Sequence, residues 1–208
     1  IPVKYDEIDI LNKEELEEDV DDEIYLSAKY EDKEILYNGK GNIILENLSE
    51  ISKMHFEAGI YKDSEKYFVE RDEQNNVMNY YDKMGKLVDK VNYDNNGRTS
   101  SVSWISPEYY IIGGDYSYVL KENEWNNIGV FCKNHDLIKK WKGDVVLGDK
   151  VVKNRYIFCL KTDKQEYIYV SLNINNGKIK EISAKEYQKL YVTEDVKKDN
   201  PSKQEGRD

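Results

Sequence analysis

An all-β chain of four small antiparallel meanders, finished by one short helix, is the fold class this sequence predicts. Three observations lead there. Eighteen tyrosines stand against four phenylalanines, and tyrosine suits a half-exposed pleated surface where the ring packs and the hydroxyl stays wet. Hydrophobic residues make up 39 % of the chain and charged ones 35 %, so the apolar side chains must gather on one face of each sheet. The third is repetition: one strand–turn–strand plan recurs along the 208 residues.

Taken in order, IPVKYDEIDI (1–10) reads as a first strand, followed by the acidic insert LNKEELEEDVDDE (11–23). A charge run of that kind is expected to be a wet surface, as a short helix or a solvated loop. The plan then runs through IYLSAKY-EDKE-ILY-NGKGN-IILE (24–46) and, more regularly, KYFVER-DEQNN-VMNYY-DKMG-KLVDKV (66–91). It returns in SYVLKE-NEWNN-IGVFC-KNHD-LIKKW (117–141) and RYIFCLK-TDKQE-YIYVSL-NINNG-KIKEI (155–182). Tyr25, Tyr67, Tyr118 and Tyr156 fall at equivalent places. A glycine-bearing strand is expected ahead of three of the units: HFEAGIY (55–61), EYYIIGGDY (108–116) and DVVLGDKVV (144–152). Ser183-Ala-Lys-Glu186 carries a capping-box signature, which predicts a helix over 184–190. LYVT (190–193) reads as a last strand, and 194–208, with almost no apolar residue, as a disordered tail. The expected layout is one domain over 1–193 with repeats near 24–54, 55–107, 108–143 and 144–193. One meander is marginal alone, so the four are expected to stack in series.

The net charge is −10. That argues against nucleic acid and anionic membrane, because phosphate contacts need clustered cations. No run approaches the roughly eighteen apolar residues of a membrane-spanning helix, so no membrane insertion of this segment is expected. Ile1-Pro2 at the start in place of methionine leads one to expect a processed product or part of a longer chain. Cys132 and Cys159 are too few for a disulfide scaffold. They are left as one bridge or two buried thiols, the second being commoner in strand-like runs.

The turns Asp82-Lys-Met-Gly85 and Asn173-Ile-Asn-Asn-Gly177, set between the repeated strands, resemble the blades of bacterial β-propellers of the TolB-like and pyrroloquinoline-quinone-type kinds. The resemblance covers most of residues 24–182 and implies a propeller-like or stacked-sheet assembly. No tryptophan-aspartate pair closes each unit, and the third has Asn134-His-Asp136 where a glycine belongs.

The sharpest chemical signal is VNYDNNGRTSSVSW (91–104). Counted as a calcium loop, Asn92, Asp94 and Asn96 take the first, third and fifth positions, and Gly97 the sharp turn at the sixth. Position twelve is then Ser103 instead of a bidentate glutamate, so too little charge surrounds the ion. The stretch also resembles the Asp-box turn of sialidase-like propellers, with Asp94 and Gly97 one residue too far apart. A plain turn is the preferred reading, and no metal or other cofactor is expected. Cys132-Lys-Asn-His135, with His55 and Cys159, lacks a partner pair at zinc spacing. A sialidase-like site would need three converging arginines, and outside the tail there are only Arg71, Arg98 and Arg155. Gly-x-Ser-x-Gly, Walker and dinucleotide fingerprints are absent.

What remains is aromatic surface. Tyr80, Tyr81, Trp104, Tyr109, Tyr110 and Tyr116 cluster in mid-chain beside Gly113 and Gly114. Such side chains carry interface energy and stack on sugars. The functional expectation is a non-catalytic binding module of an exported or surface-anchored bacterial protein, extracellular or on the cell envelope. It would recognise a protein, or in second place a glycan, through a tyrosine-rich face. The alternatives from other classes are a degenerate sialidase-like glycosidase or glycan-binding propeller, and a calcium-stabilised structural domain.

Overall fold

The computed structural model describes residues 5–11, 23–57, 61, 64–92, 101–114, 127–162, 164 and 166–192. The described strands are β1 (Glu7–Ile10), β2 (Tyr25–Tyr30), β3 (Lys33–Asn38), β4 (Ile43–Leu48), β5 (Ile51–Lys53), β6 (Phe68–Asp72), β7 (Val77–Tyr81) and β8 (Leu87–Asn92). They continue as β9 (Ser101–Ser106), β10 (Tyr109–Gly114), β11 (Asn127–Cys132), β12 (Leu137–Val152), β13 (Arg155–Thr162), β14 (Tyr167–Asn173) and β15 (Ile179–Ile182), and helix α1 (Ala184–Val192) ends the series. Every pairing is antiparallel between neighbours in sequence. The result is four four-stranded meanders, β1–β4, β5–β8, β9–β12 and β12–β15, the last two sharing β12 in one seven-stranded sheet. The chain forms two compact units, one carrying β1–β8 and the other β9–β15 with α1.

The third hairpin position repeats through all four meanders. Gly41, Gly85, His135 and Gly177 hold left-handed backbone there, at φ 79°, 80°, 67° and 68°. Each turn is closed by a main-chain bond back to Asn38, Asp82, Cys132 or Asn173. Asp82 shows the mechanism: its Oδ1 accepts the amides of Met84 and Lys86 at 2.9 Å each, an Asx turn that only a positive φ can complete. His135 therefore fills the place where the sequence lacks a glycine.

In the first unit the inner faces of β1–β4 and β5–β8 meet in a cluster of Tyr25, Leu36, Leu48, Ile51, Tyr67 and Phe68. The rings of Tyr25 and Phe68 pack edge-on, 5.0 Å apart. Full burial of such side chains supplies about 1.5–3 kcal/mol each, and a single meander has no second face to provide it. In the second unit Ile105, Ile111, Ile128, Val130 and Trp141 of one meander face Tyr156, Phe158, Leu160, Val170 and Leu172 of the other. Trp141 Nε1 donates to Glu181 Oε1 at 3.0 Å across that core. The shared strand β12 turns from one sheet into the next through register shifts between Val145 and Leu147 and between Leu147 and Lys150. Bulges of this kind bend a strand that would otherwise run straight.

The meanders are framed differently from the repeats read in the sequence. The second begins at Ile51, ahead of the 55–61 segment, and the third begins at Ser101 with Tyr109–Gly114 as its second strand. Ser106, Pro107 and Glu108 make the tight turn between β9 and β10. The sequence of residues 190–193 reads as a strand, but α1 continues through Val192. Ser183 caps the helix, its Oγ accepting the Glu186 amide at 3.2 Å, and Lys189 in the last turn favours the helix over an exit to strand. The 194–208 segment, Tyr118 and nearly all of the acidic insert lie outside the described residues.

A Cβ at Gly85 would come within 2.7 Å of Ile44 Cγ2 and 2.9 Å of the Ile44 carbonyl, besides requiring φ near +80°. Gly85→Ala is therefore expected to lower unfolding free energy by about 1–3 kcal/mol in urea melts, with Lys86→Ala within about 0.5 kcal/mol of the parent. Equal effects from the two substitutions would contradict the packing described.

Candidate interaction surface

The linker between β4 and β5 shows how the first unit is locked. Glu70 of β6 is buried and its Oε1 accepts the Ser49 amide at 3.2 Å. Its Oε2 accepts Asn79 Nδ2 at 2.9 Å and the Tyr81 hydroxyl at 2.7 Å. Glu34 of β3 accepts the Ile51 amide at 3.2 Å, and the Arg71 amide donates to the Glu50 carbonyl at 3.0 Å. One carboxylate from each meander thus grips the linker main chain, satisfying amides that would otherwise be buried without a partner. Burial pushes the Glu34 carboxyl up, against the lowering effect of the Ile51 amide and Lys29. Burial first, and then the bond to Glu70, pushes the Tyr81 phenol up.

The clasp borders a cleft of about 400 Å³ whose walls carry both charges: Lys29, Lys33 and Arg71 against Asp32, Glu34, Glu50 and Glu73. Arg71 Nε is held by Glu73 at 3.3 Å. Interleaved charges of both signs leave no single-sign field to hold a charged substrate. Arg155 stands 3.9 Å from Glu186 in the second unit, and Arg98 lies outside the described residues.

The tyrosine-rich face expected from the sequence is corrected by burial. Tyr80, Trp104 and Tyr110 are 1, 2 and 1 % exposed. Trp104, Tyr110 and Phe131 form a row across β9, β10 and β11, with centroids 4.6 and 5.2 Å apart. The Tyr110 hydroxyl shares a 2.8 Å bond with His135 Nδ1. Tyr81 is half-buried in the Glu70 clasp, and Tyr109 is half-buried against the Gly177 turn. Tyr80, Trp104 and Tyr110 are thus core residues, on the faces of their strands that pack against neighbouring side chains. Tyr116 lies outside the described residues, as do Asp94 and Asn96, while Asn92 ends β8. Among the described residues no three His, Cys, Asp or Glu side chains are grouped to hold a metal. Cys132 is half-buried and Cys159 buried, both as free thiols. No described helix is long and apolar enough to cross a membrane.

The exposed apolar surface lies elsewhere, on the first sheet. Cross-strand partners share a face, so Ile8 with Ala28 and Ile35, and Ile10 with Leu26 and Tyr37, lie together. Tyr30 continues that face by alternation along β2, and Ile43 by its pairing with Tyr37. Ile8, Ile10, Tyr30 and Ile43 are 49, 47, 42 and 54 % exposed. Tyr37 is buried beneath Tyr5, to whose hydroxyl it bonds at 2.7 Å, and that bond and burial push its phenol up to about 12. The opposite face of the same sheet carries Tyr25, Leu36 and Leu48 into the core. This sheet is therefore apolar on both sides. The last sheet is different: α1 lies over its outer face, with Tyr187 4.8 Å from Tyr169 and Lys150 Nζ donating to the Tyr191 carbonyl at 2.8 Å. The mixed parity of YLSAKY and KEILYN, together with the alternation of Glu7-Ile-Asp-Ile10, is the sequence signal for the two-sided sheet.

No protein-family model and no curated protein sequence matches the chain.

Removing the Tyr81 hydroxyl deprives Glu70 of a donor. Tyr81→Phe is expected to cost about 1–3 kcal/mol at neutral pH. Because the folded phenol's pKa is raised above its ordinary value of 10.0, its contribution is whole below that value and is lost as pH rises through the folded pKa. The gap in urea midpoint between parent and variant should therefore narrow above pH about 10. A constant gap from neutral to strongly alkaline pH would contradict the clasp.

Proposed function

We propose that the chain is a non-catalytic interaction module of the repeated-meander, propeller-like kind, acting through contacts with a protein partner. The observation that carries this reading is the outer face of the first sheet. Four large apolar side chains, Ile8 and Ile10 of β1, Tyr30 of β2 and Ile43 of β4, are each about half exposed on one side of the sheet. Scattered apolar residues need no explanation, but several half-exposed ones on one face of a single sheet support an interaction site. The tyrosine face is replaced in this proposal by the first sheet. The exported or surface-anchored setting remains part of the reading on the strength of the propeller-like repeats alone.

The shifted Glu34 carboxyl and the buried Glu70 are engaged by main-chain amides and neighbouring side chains of their own unit. A general acid or nucleophile must instead keep its reacting oxygen available to a substrate.

A photo-reactive residue placed at Ile43 is expected to cross-link one discrete partner in cells of the source organism, whereas the same group at Met84, which is 84 % exposed in an isolated turn, is expected to give none. Glycoside and ester panels should show no turnover. Hydrolysis that vanishes on one pocket substitution, or equal cross-linking from both positions, would overturn the proposal.

A further inference from the structure

We propose that the edge of β1 that no described strand covers accepts an extended strand from the partner, one whose side chains alternate between basic and apolar. This deepens the interaction-module reading and rests on it, adding the partner's chemistry and the place of contact.

The ladder fixes which main-chain groups are available. The Leu11 amide donates to the Tyr25 carbonyl at 3.0 Å, so Leu11 and Tyr25 are a hydrogen-bonded pair. In an antiparallel ladder such pairs alternate, which turns the main-chain groups of Asp9 towards β2 and those of Ile8 and Ile10 away from it. The Asp6 amide bonds to the Lys29 carbonyl, the partner position of Glu7, which is the signature of a bulge closing the strand at that end. Among the described residues β1 pairs with β2 alone. Its outer rim therefore offers two residues' worth of donors and acceptors to an incoming strand.

The side chains define what that strand must look like. All four residues of β1 are exposed, with Ile8 and Ile10 on the apolar outer face and Glu7 and Asp9 on the other. An added strand would place alternate residues beside the two isoleucines and the intervening ones beside the two carboxylates. Apolar and basic side chains satisfy those positions in turn. Natural edges are commonly blunted by lysine, as Lys90 does for β8 and Lys180 for β15, and β1 carries only acids. A second copy of this chain is a poor occupant: the antiparallel register that sets both Ile8 and Ile10 against isoleucine sets Asp9 against Asp9. The acidic edge repels its own kind and selects a basic strand.

The test uses the full chain and a short synthetic peptide alternating valine and lysine, with valine–glutamate and serine–lysine peptides as controls. Binding is read by fluorescence anisotropy, and backbone amide exchange reports the site. The valine–lysine peptide is expected to bind and to slow exchange at Ile8 and Ile10, while the controls bind weakly or not at all. Ile8→Pro removes an outward donor without touching a bond to β2 and should weaken binding by about tenfold or more. Glu7→Lys with Asp9→Lys should transfer the preference to the valine–glutamate peptide and keeps the test decisive if the proline variant misfolds. Absence of peptide binding, binding indifferent to these substitutions, or a dimer of the parent chain abolished by Ile8→Pro would overturn the proposal. Cross-linking from Ile43 without peptide binding at β1 would reject this edge and leave the interaction-module reading standing.

Discussion

Everything in the first unit depends on one contact: the inner face of one meander dried by the inner face of the next. Tyr25, Leu36 and Leu48 on one side meet Ile51, Tyr67 and Phe68 on the other. Neither set has an alternative cover within its own four strands. The linker Ser49-Glu50 must therefore cross from sheet to sheet through a drying region, where its amides need acceptors that water no longer supplies. Glu70 accepts the Ser49 amide and Glu34 the amide of Ile51, where the linker enters β5. The carboxylates are consequences of the packing, and burial in the same place pushes the Glu34 carboxyl up.

The second unit solves the same problem by a different route. Its two meanders share β12, so the chain passes between them without a loop. The bend comes from irregular register along a sixteen-residue strand. The outer face of its last sheet is then covered by α1 through Tyr169, Tyr187 and Tyr191. The first sheet carries isoleucine and tyrosine in the same structural position and leaves them half exposed. That difference in treatment of two outer faces is what gives the first sheet its functional interest.

The strand class and the meander plan were legible because alternation and turn chemistry are local. Tyr25, Tyr67 and Tyr156 do open the second strand, or its approach, in three meanders, and all three are buried. Ser183 caps α1 as its spacing requires. The framing of the third meander was harder to read, since the strand run Ser101–Ser106 adjoins the polar turn-forming stretch before it. Only Pro107 marked the boundary. Which aromatics reach the surface was not legible at all. Tyr80 and Tyr81 are adjacent and differ in face, and no local signal says whether a second layer covers the side that Tyr80 takes. The same missing information hid Ile8, Ile10, Tyr30 and Ile43, each an ordinary strand residue until the register shows them side by side.

Site-resolved native-state hydrogen exchange on the full chain, before and after Phe68→Ala, tests the pairing of the first two meanders most directly. If the shared dry face makes them one cooperative unit, amides of β2 and β3 will lose protection together with those of β6 and β7, by the same amount of about 3–5 kcal/mol. Loss confined to β6 and β7, with β2 and β3 unchanged, would mean that the first meander stands without its neighbour.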